Sequence, residues 1–212
     1  MGLLKELIYI VIIIALFLHA YKYKGRSYAI RIFIAGFFMG LLIENSGVLQ
    51  GSYTEWGYHL YFPYSLVPLI TQLGWILVTY VSLSMSETIF EAFPKLKSNI
   101  LFMASITALI ATFWDILIDP ISVYHGDWVW TEQSWGPNGF GWLGVPIINW
   151  ISWFWCMFAW TLSIYYIDSR REDWSEQKRV GIQFLSIFVT ALILLVGVEI
   201  SYFLIEGTWI PT

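Results

Sequence analysis

Cysteine is almost missing from this sequence. The single one, Cys156, sits in an apolar run, which excludes a disulfide framework and a Cys-based metal cluster. It reads as a small buried hydrophobe. Histidine is scarce as well: His19, His59 and His125 are too few and too scattered for a membrane di-iron oxygenase; His59 and His125 read as structural or weakly interacting, and His19 is expected on the opposite side of the membrane from them. Charge is the third shortage, at 12% of 212 residues, against about a quarter in a typical soluble domain. The sequence shows no Ser-His-Asp arrangement, no phosphate loop, no basic nucleic-acid patch and no internal repeat. Gly139, Gly141 and Gly144 spell G-x-G-x-x-G, but no strand precedes them and Phe140 and Trp142 fill the gaps. They read as glycines that permit tight loop turns.

What is present is apolar. The chain is 58% hydrophobic, with mean hydropathy +0.66 and net charge −4. Six apolar segments approach the ~20 residues that a bilayer core requires, at roughly 4–21, 28–49, 64–86, 99–118, 145–167 and 180–205. The expected architecture is all-α, a polytopic transmembrane helical bundle forming a single integral membrane domain over residues 1–212. The first segment resembles a signal peptide. However, Glu6 lies where basic residues belong, no A-x-A-like site follows, and Lys22, Lys24 and Arg26 come after the run. It is expected to be a retained helix.

Lys and Arg set the orientation. Ten of the eleven fall on the first, third and fifth connections or their margins, and only Lys5 falls on the opposite side. The positive-inside rule makes those connections cytoplasmic. Both termini and the loops at 50–63 and 119–144 are then extracytoplasmic, with the plasma membrane as the expected location. Both loops are rich in Trp, Tyr and Gly. Tyr53, Trp56, Tyr58, Tyr61, Trp128, Trp130, Trp135 and Trp142 suit the headgroup level, where amphipathic rings settle.

Four acids lie inside or at the ends of the spans: Glu44, Asp115, Asp119 and Glu199. A carboxylate at mid-bilayer costs ~2.5–3.5 kcal/mol, so four would sum to about 10–14 kcal/mol if central, comparable with the stability of a whole domain. The alternation of spans brings all four to the extracytoplasmic half. Asp115 and Asp119 are one turn apart on one helical face. Pro120 is expected to close their segment, leaving the pair at a helix C-terminus. That position, the apolar surroundings and the neighbouring acid all disfavour two negative charges at once. This is a setting for a general acid. Nine tryptophans crowd the stretch from Trp114 to Trp160, and indole faces stack on conjugated ligands and stabilise cations. Together these features point to acid chemistry on an apolar polyene.

The residues that carry a family resemblance are now in view. They are Glu44-Asn45-Ser46-Gly47 leading into Gly51-Ser52-Tyr53, then Trp114-Asp115-x-x-x-Asp119-Pro120, then Trp128-x-Trp130, then Gly144-Val145-Pro146-x-x-Asn149-Trp150. In this order and spacing the chain resembles the membrane carotenoid biosynthesis proteins that include the carotenoid 1,2-hydratases of the bisanhydrobacterioruberin and γ-carotene type. The resemblance implies addition of water to the terminal C=C of an acyclic carotenoid end, giving a tertiary alcohol. Its partners would be a polyene drawn from the bilayer and water, with other enzymes of the carotenoid pathway as candidates.

The residues fit that chemistry. Asp115 or Asp119 is expected to protonate the alkene and the Trp cluster to stabilise the cation. Glu44, or the other Asp, would orient the attacking water and take its proton, in the manner of a glycosidase carboxyl pair. Asn149 is expected to hold the water. Tyr53, Trp114, Trp128, Trp130, Trp150 and Glu199 complete the expected substrate site. No cofactor and no metal is required. One competing expectation is a carotenoid or terpenoid cyclase or isomerase, which starts with the same protonation, although the Pro-x-Glu-Glu-like motif of small membrane lycopene cyclases is absent. Others are a proton-coupled transporter, whose relays also use intramembrane acids, a lipid-binding membrane protein and a structural membrane scaffold.

Overall fold

The computed structural model describes residues 2–54, 57–135 and 139–207; Trp56, placed in the aromatic belt above, lies outside them. Six helices among these residues are long and apolar enough to cross a membrane. They are α1 (Gly2–Lys24), α2 (Arg26–Leu49), α3 (Leu69–Ala92), α4 (Ile100–Tyr124), α5 (Ile147–Ser169) and α6 (Glu176–Glu206). The protein is an all-α polytopic bundle. Its shared core includes Phe33 and Met39 of α2, Trp75 and Tyr80 of α3, Ala108 of α4 and Trp160 of α5. Rows of Leu, Ile and Val on α1 and α6 stay exposed, Leu4 and Leu204 among them. Apolar surface of that extent belongs in lipid.

Local chemistry sets the helix ends. Asn99 accepts the amide of Leu101 at 2.8 Å to start α4, and Ser175 accepts that of Lys178 at 3.2 Å to start α6. A side-chain acceptor there satisfies one of the orphan donors of the first turn. Pro68 and Pro146 stand in extended backbone just before α3 and α5. The expected start of the third span at 64 therefore moves to Leu69, because Pro68 cannot continue a helix from within and 64–68 run irregularly, Tyr61 bridging to Pro68. Gly207 ends α6 with φ of 72°, a left-handed conformation that glycine adopts without strain.

The second correction concerns Pro120. It does not close its segment: α4 runs through it to Tyr124. A proline inside a helix forfeits one amide donor and strains the turn before it, yet does not stop this helix. Asp119 is therefore five residues from the helix end and Asp115 nine. The C-terminal dipole, which acts within the last turn, does not bear on Asp115 as expected.

Two elements shape the ends of the bundle. At the end carrying Lys22, Lys24, Lys95 and Lys97, α2 passes after its first turn into a π-helical stretch, Ile30–Ala35. That stretch buries Arg31, which pairs with Asp168 at the end of α5. At the opposite end, the loop after α2 and the loop after α4 meet in two short strands, β1 (Tyr53–Thr54) and β2 (Val129–Trp130), with Tyr53 opposite Trp130. A hairpin of β3 (Gly141–Trp142) and β4 (Val145–Pro146) leads into α5. Leu143 and Gly144 turn it with positive φ, and Gly139, also at positive φ, leads into it. At Gly141 a side chain would strike the Val145 carbonyl and the Trp135 ring. The loop layer is tied to α1. Glu6, buried, accepts the amides of His59 (3.1 Å) and Leu60 (2.8 Å). Lys5 donates to the Tyr58 hydroxyl (2.8 Å) and to Asp127 (2.9 Å).

Candidate active site

Under the loop layer lies a cavity of about 850 Å³. All six helices contribute to its wall. Three of the four intramembrane acids, Glu44, Asp115 and Asp119, meet there, and Glu199 of α6 also lines it. The convergence expected from span alternation is therefore a feature of the structure.

Glu44 is built into α2 between two glycines, Gly40 one turn before it and Gly47 one turn after. A β-carbon on Gly40 would sit 3.1 Å from Trp75, and one on Gly47 would sit 3.0 Å from the Tyr53 ring. Those two rings are the donors to Glu44. The Trp75 indole N–H reaches Oε1 and the Tyr53 hydroxyl reaches Oε2. Small residues here do what they commonly do in membrane helices, letting a bulky neighbour approach the backbone. Tyr53 is positioned a second time by β1–β2 pairing, with its ring 5.1 Å from that of Trp130. Burial first, and Glu44 second, push the Tyr53 phenol well above its usual range. It stays a neutral donor.

Asp115 and Asp119 point the same way from α4 and are 7% and 2% exposed. One nitrogen holds both. Asn149 Nδ2, in the first turn of α5, donates to Asp115 Oδ2 and to Asp119 Oδ2, each at 2.8 Å. An amide NH2 has two hydrogens, so one goes to each acid. The Trp128 indole N–H donates to Asp119 Oδ1 at 2.7 Å. Both oxygens of Asp119 are thus engaged, whereas Asp115 Oδ1 carries no hydrogen bond among the described residues. Asn149, expected to hold water, clamps the acid pair through its amide nitrogen.

Facing these acids is a pair of indoles. Trp75 and Trp153 stack with ring centroids 3.8 Å apart and planes 4° from parallel, and both line the cavity. Trp128 and Trp130 line it too. Trp114 and Trp150, expected at the site, are not brought to it. Trp114 packs against the apolar core, and Trp150 is buried beside Trp142, 6.4 Å between ring centroids. Sequence reasoning missed Trp75, which had no motif around it; the glycines flanking Glu44 were the available signal.

The cavity is polar at one end and apolar at the other. Toward the loops it is lined by Ser46, Gln50, Ser52, Glu132, Gln133 and Ser134. Toward the middle of the bundle it is lined by Leu77, Val78, Cys156, Ala191 and Leu194. The three acids sit where these two surfaces meet. The arrangement can present an acidic proton to a greasy group while giving water access from the other side. No curated protein and no solved structure matches the chain. The family model described as carotenoid biosynthesis protein matches residues 4–212, and so takes in all six helices and every wall of the three-acid cavity. That match spans nearly the whole chain: the chain belongs to the carotenoid biosynthesis protein family.

Proposed function

We propose that the protein is a cofactor-independent hydratase that adds water to the terminal C=C of an acyclic carotenoid end group. The observation that carries this reading is the placement of Glu44, Asp115 and Asp119 at the seam between a polar vestibule and an apolar pocket. A reaction joining water to a hydrocarbon needs both phases at one point.

The steps follow from the hydrogen bonds. Asp115, whose Oδ1 is left open, is the proton donor. It protonates the less substituted alkene carbon, and the π electrons form that C–H bond, leaving a tertiary cation on the neighbouring carbon. The stacked pair of Trp75 and Trp153 presents one outer π face to the cation, an interaction worth ~2 kcal/mol or more when desolvated. Water from the vestibule, oriented by Glu44, attacks the cation to form the C–O bond. Its surplus proton passes to the acid pair, which Asn149 holds together, and Asp115 is reset. Trp128 and Asn149 hold Asp119 as the charged member of the pair. The product is a tertiary alcohol, and no electrons enter or leave. With the basic connections cytoplasmic, the vestibule faces the extracytoplasmic side of the plasma membrane.

Product mass tests this. The protein is expressed in cells that accumulate an acyclic carotenoid, with oxygen-labelled water in the medium. One water gained per modified end, with oxygen from water, is the expected result, and Asp115→Asn abolishes the gain. A product of unchanged mass and altered retention would replace hydration by cyclisation or isomerisation. Pigment unchanged across several acyclic precursors would remove the hydratase reading and favour transport or lipid binding.

A further inference from the structure

The cavity is shorter than its substrate. Its wall on α6 runs from Ala191 to Tyr202, about 16 Å at 1.5 Å per residue. A polyene long enough to reach across the ~30 Å hydrocarbon core does not fit inside, however wide the pocket. The remainder of the chain must leave the protein sideways.

The helices show where. α5 and α6 are closed against each other: the Trp155 ring occupies the space over Gly197, and its N–H donates to Ser201 at 3.0 Å. α2 and α6 behave differently. They approach at the π-turn end, where Phe38 meets Phe184 with ring centroids 6.1 Å apart, and they touch little beyond it. Further along, Ile43, Ser46 and Gly47 of α2 and Leu194, Leu195 and Val198 of α6 all line the cavity. Leu195 lines the cavity and is 56% exposed, so no neighbouring helix packs over it. With so few contacts between α2 and α6 beyond the π-turn end, Leu195 stands at the edge of a gap in the wall.

We propose that the gap between α2 and α6, with Leu195 at its edge, is a lateral portal through which one end of a long acyclic isoprenoid enters from the bilayer while the rest of the chain stays in lipid. This rests on the hydratase reading and adds to it a rule of specificity. The protein recognises an end group and does not measure the chain, so the far end of the polyene has no influence on turnover.

Leu195→Trp narrows the portal. Val196→Trp is its control, because Val196 is also exposed, at 51%, but lies about 100° further round the helix and does not line the cavity. Hydration is measured on a long polyene and on a short acyclic terpene with the same end group, small enough to lie wholly within the cavity. The expected result is a long-to-short ratio of kcat/KM that falls at least about tenfold in Leu195→Trp and stays at the wild-type value in Val196→Trp. An unchanged ratio in Leu195→Trp, or an equal fall in both variants, overturns the portal while hydration stands. Wild-type protein that hydrates neither substrate overturns the hydratase reading itself.

Discussion

Asn149→Leu is the most informative single change. It keeps the approximate volume at the start of α5 and removes the nitrogen that joins Asp115 and Asp119 at 2.8 Å each. Hydrogen bonds to charged groups contribute ~1.5–3 kcal/mol each. Asp119 keeps Trp128; Asp115 has no other hydrogen-bond partner among the described residues, so its bond is the one lost without replacement. If that one bond is expressed in the transition state, the barrier rises by about 1.5–3 kcal/mol, or a rate loss of about 10- to 150-fold. The loss falls on kcat, with KM little changed, because the amide touches the acids and not the apolar pocket. The assay is steady-state hydration in membranes with labelled water, alongside thermal unfolding to confirm the fold. Asn149→Gln, which keeps the amide but displaces it by one methylene, recovers part of the loss. Folded Asn149→Leu with kcat within about twofold of wild type would refute the clamp.

Trp75→Phe keeps a ring against Trp153 and removes the N–H on Glu44; kcat falls about tenfold, the low end of a lost charge-assisted bond, in the same hydration assay. Pro120→Ala restores an amide donor inside α4, which runs on to Tyr124, and so raises the thermal midpoint, since proline in a helix interior costs up to ~3 kcal/mol relative to alanine; a lowered midpoint counts against a continuous helix. His59→Ala leaves stability unchanged because the exposed ring is not what Glu6 mainly holds, whereas Glu6→Ala orphans the amides of His59 and Leu60 and costs about 1–3 kcal/mol in a denaturation series.

The spans were legible because length and hydropathy are local properties. So was the shared face of Asp115 and Asp119, which needs only helical spacing. The partners of the acids were harder to read, because each bond crosses between elements. Trp75 lies 31 residues from Glu44 in sequence and looks like any membrane tryptophan. The β1–β2 pairing that sets Tyr53 against Trp130 is two residues long, too short to leave an alternating pattern. Pro120 misled because a proline reads as a stop, and whether a helix tolerates it depends on packing that no local rule contains. Trp114 and Trp150 belong to the same motifs as site residues yet face the core, since adjacent positions on a helix point about 100° apart.

The choice of partners for the acids says more about the chemistry than their number. Glu44 takes its hydrogen bonds from a tyrosine and a tryptophan, Asp119 from a tryptophan and an asparagine, and Asp115 from that same asparagine. All of these donors are neutral. Arg or Lys would offset the cost of burying a carboxylate more strongly, and this protein does pair a buried charge with an opposite one elsewhere, Arg31 with the partly exposed Asp168. At the site it does not. The cation among the described residues lining the cavity is Lys5, and its ammonium is taken up by Asp127 and Tyr58. A neighbouring cation favours the charged form of an acid and repels a carbocation, so it would oppose both halves of hydration. Neutral donors satisfy the buried oxygens without either effect. A scaffold that needed only to tolerate its acids would gain from ion pairs; a site that must give up a proton and then face a cation gains from their exclusion.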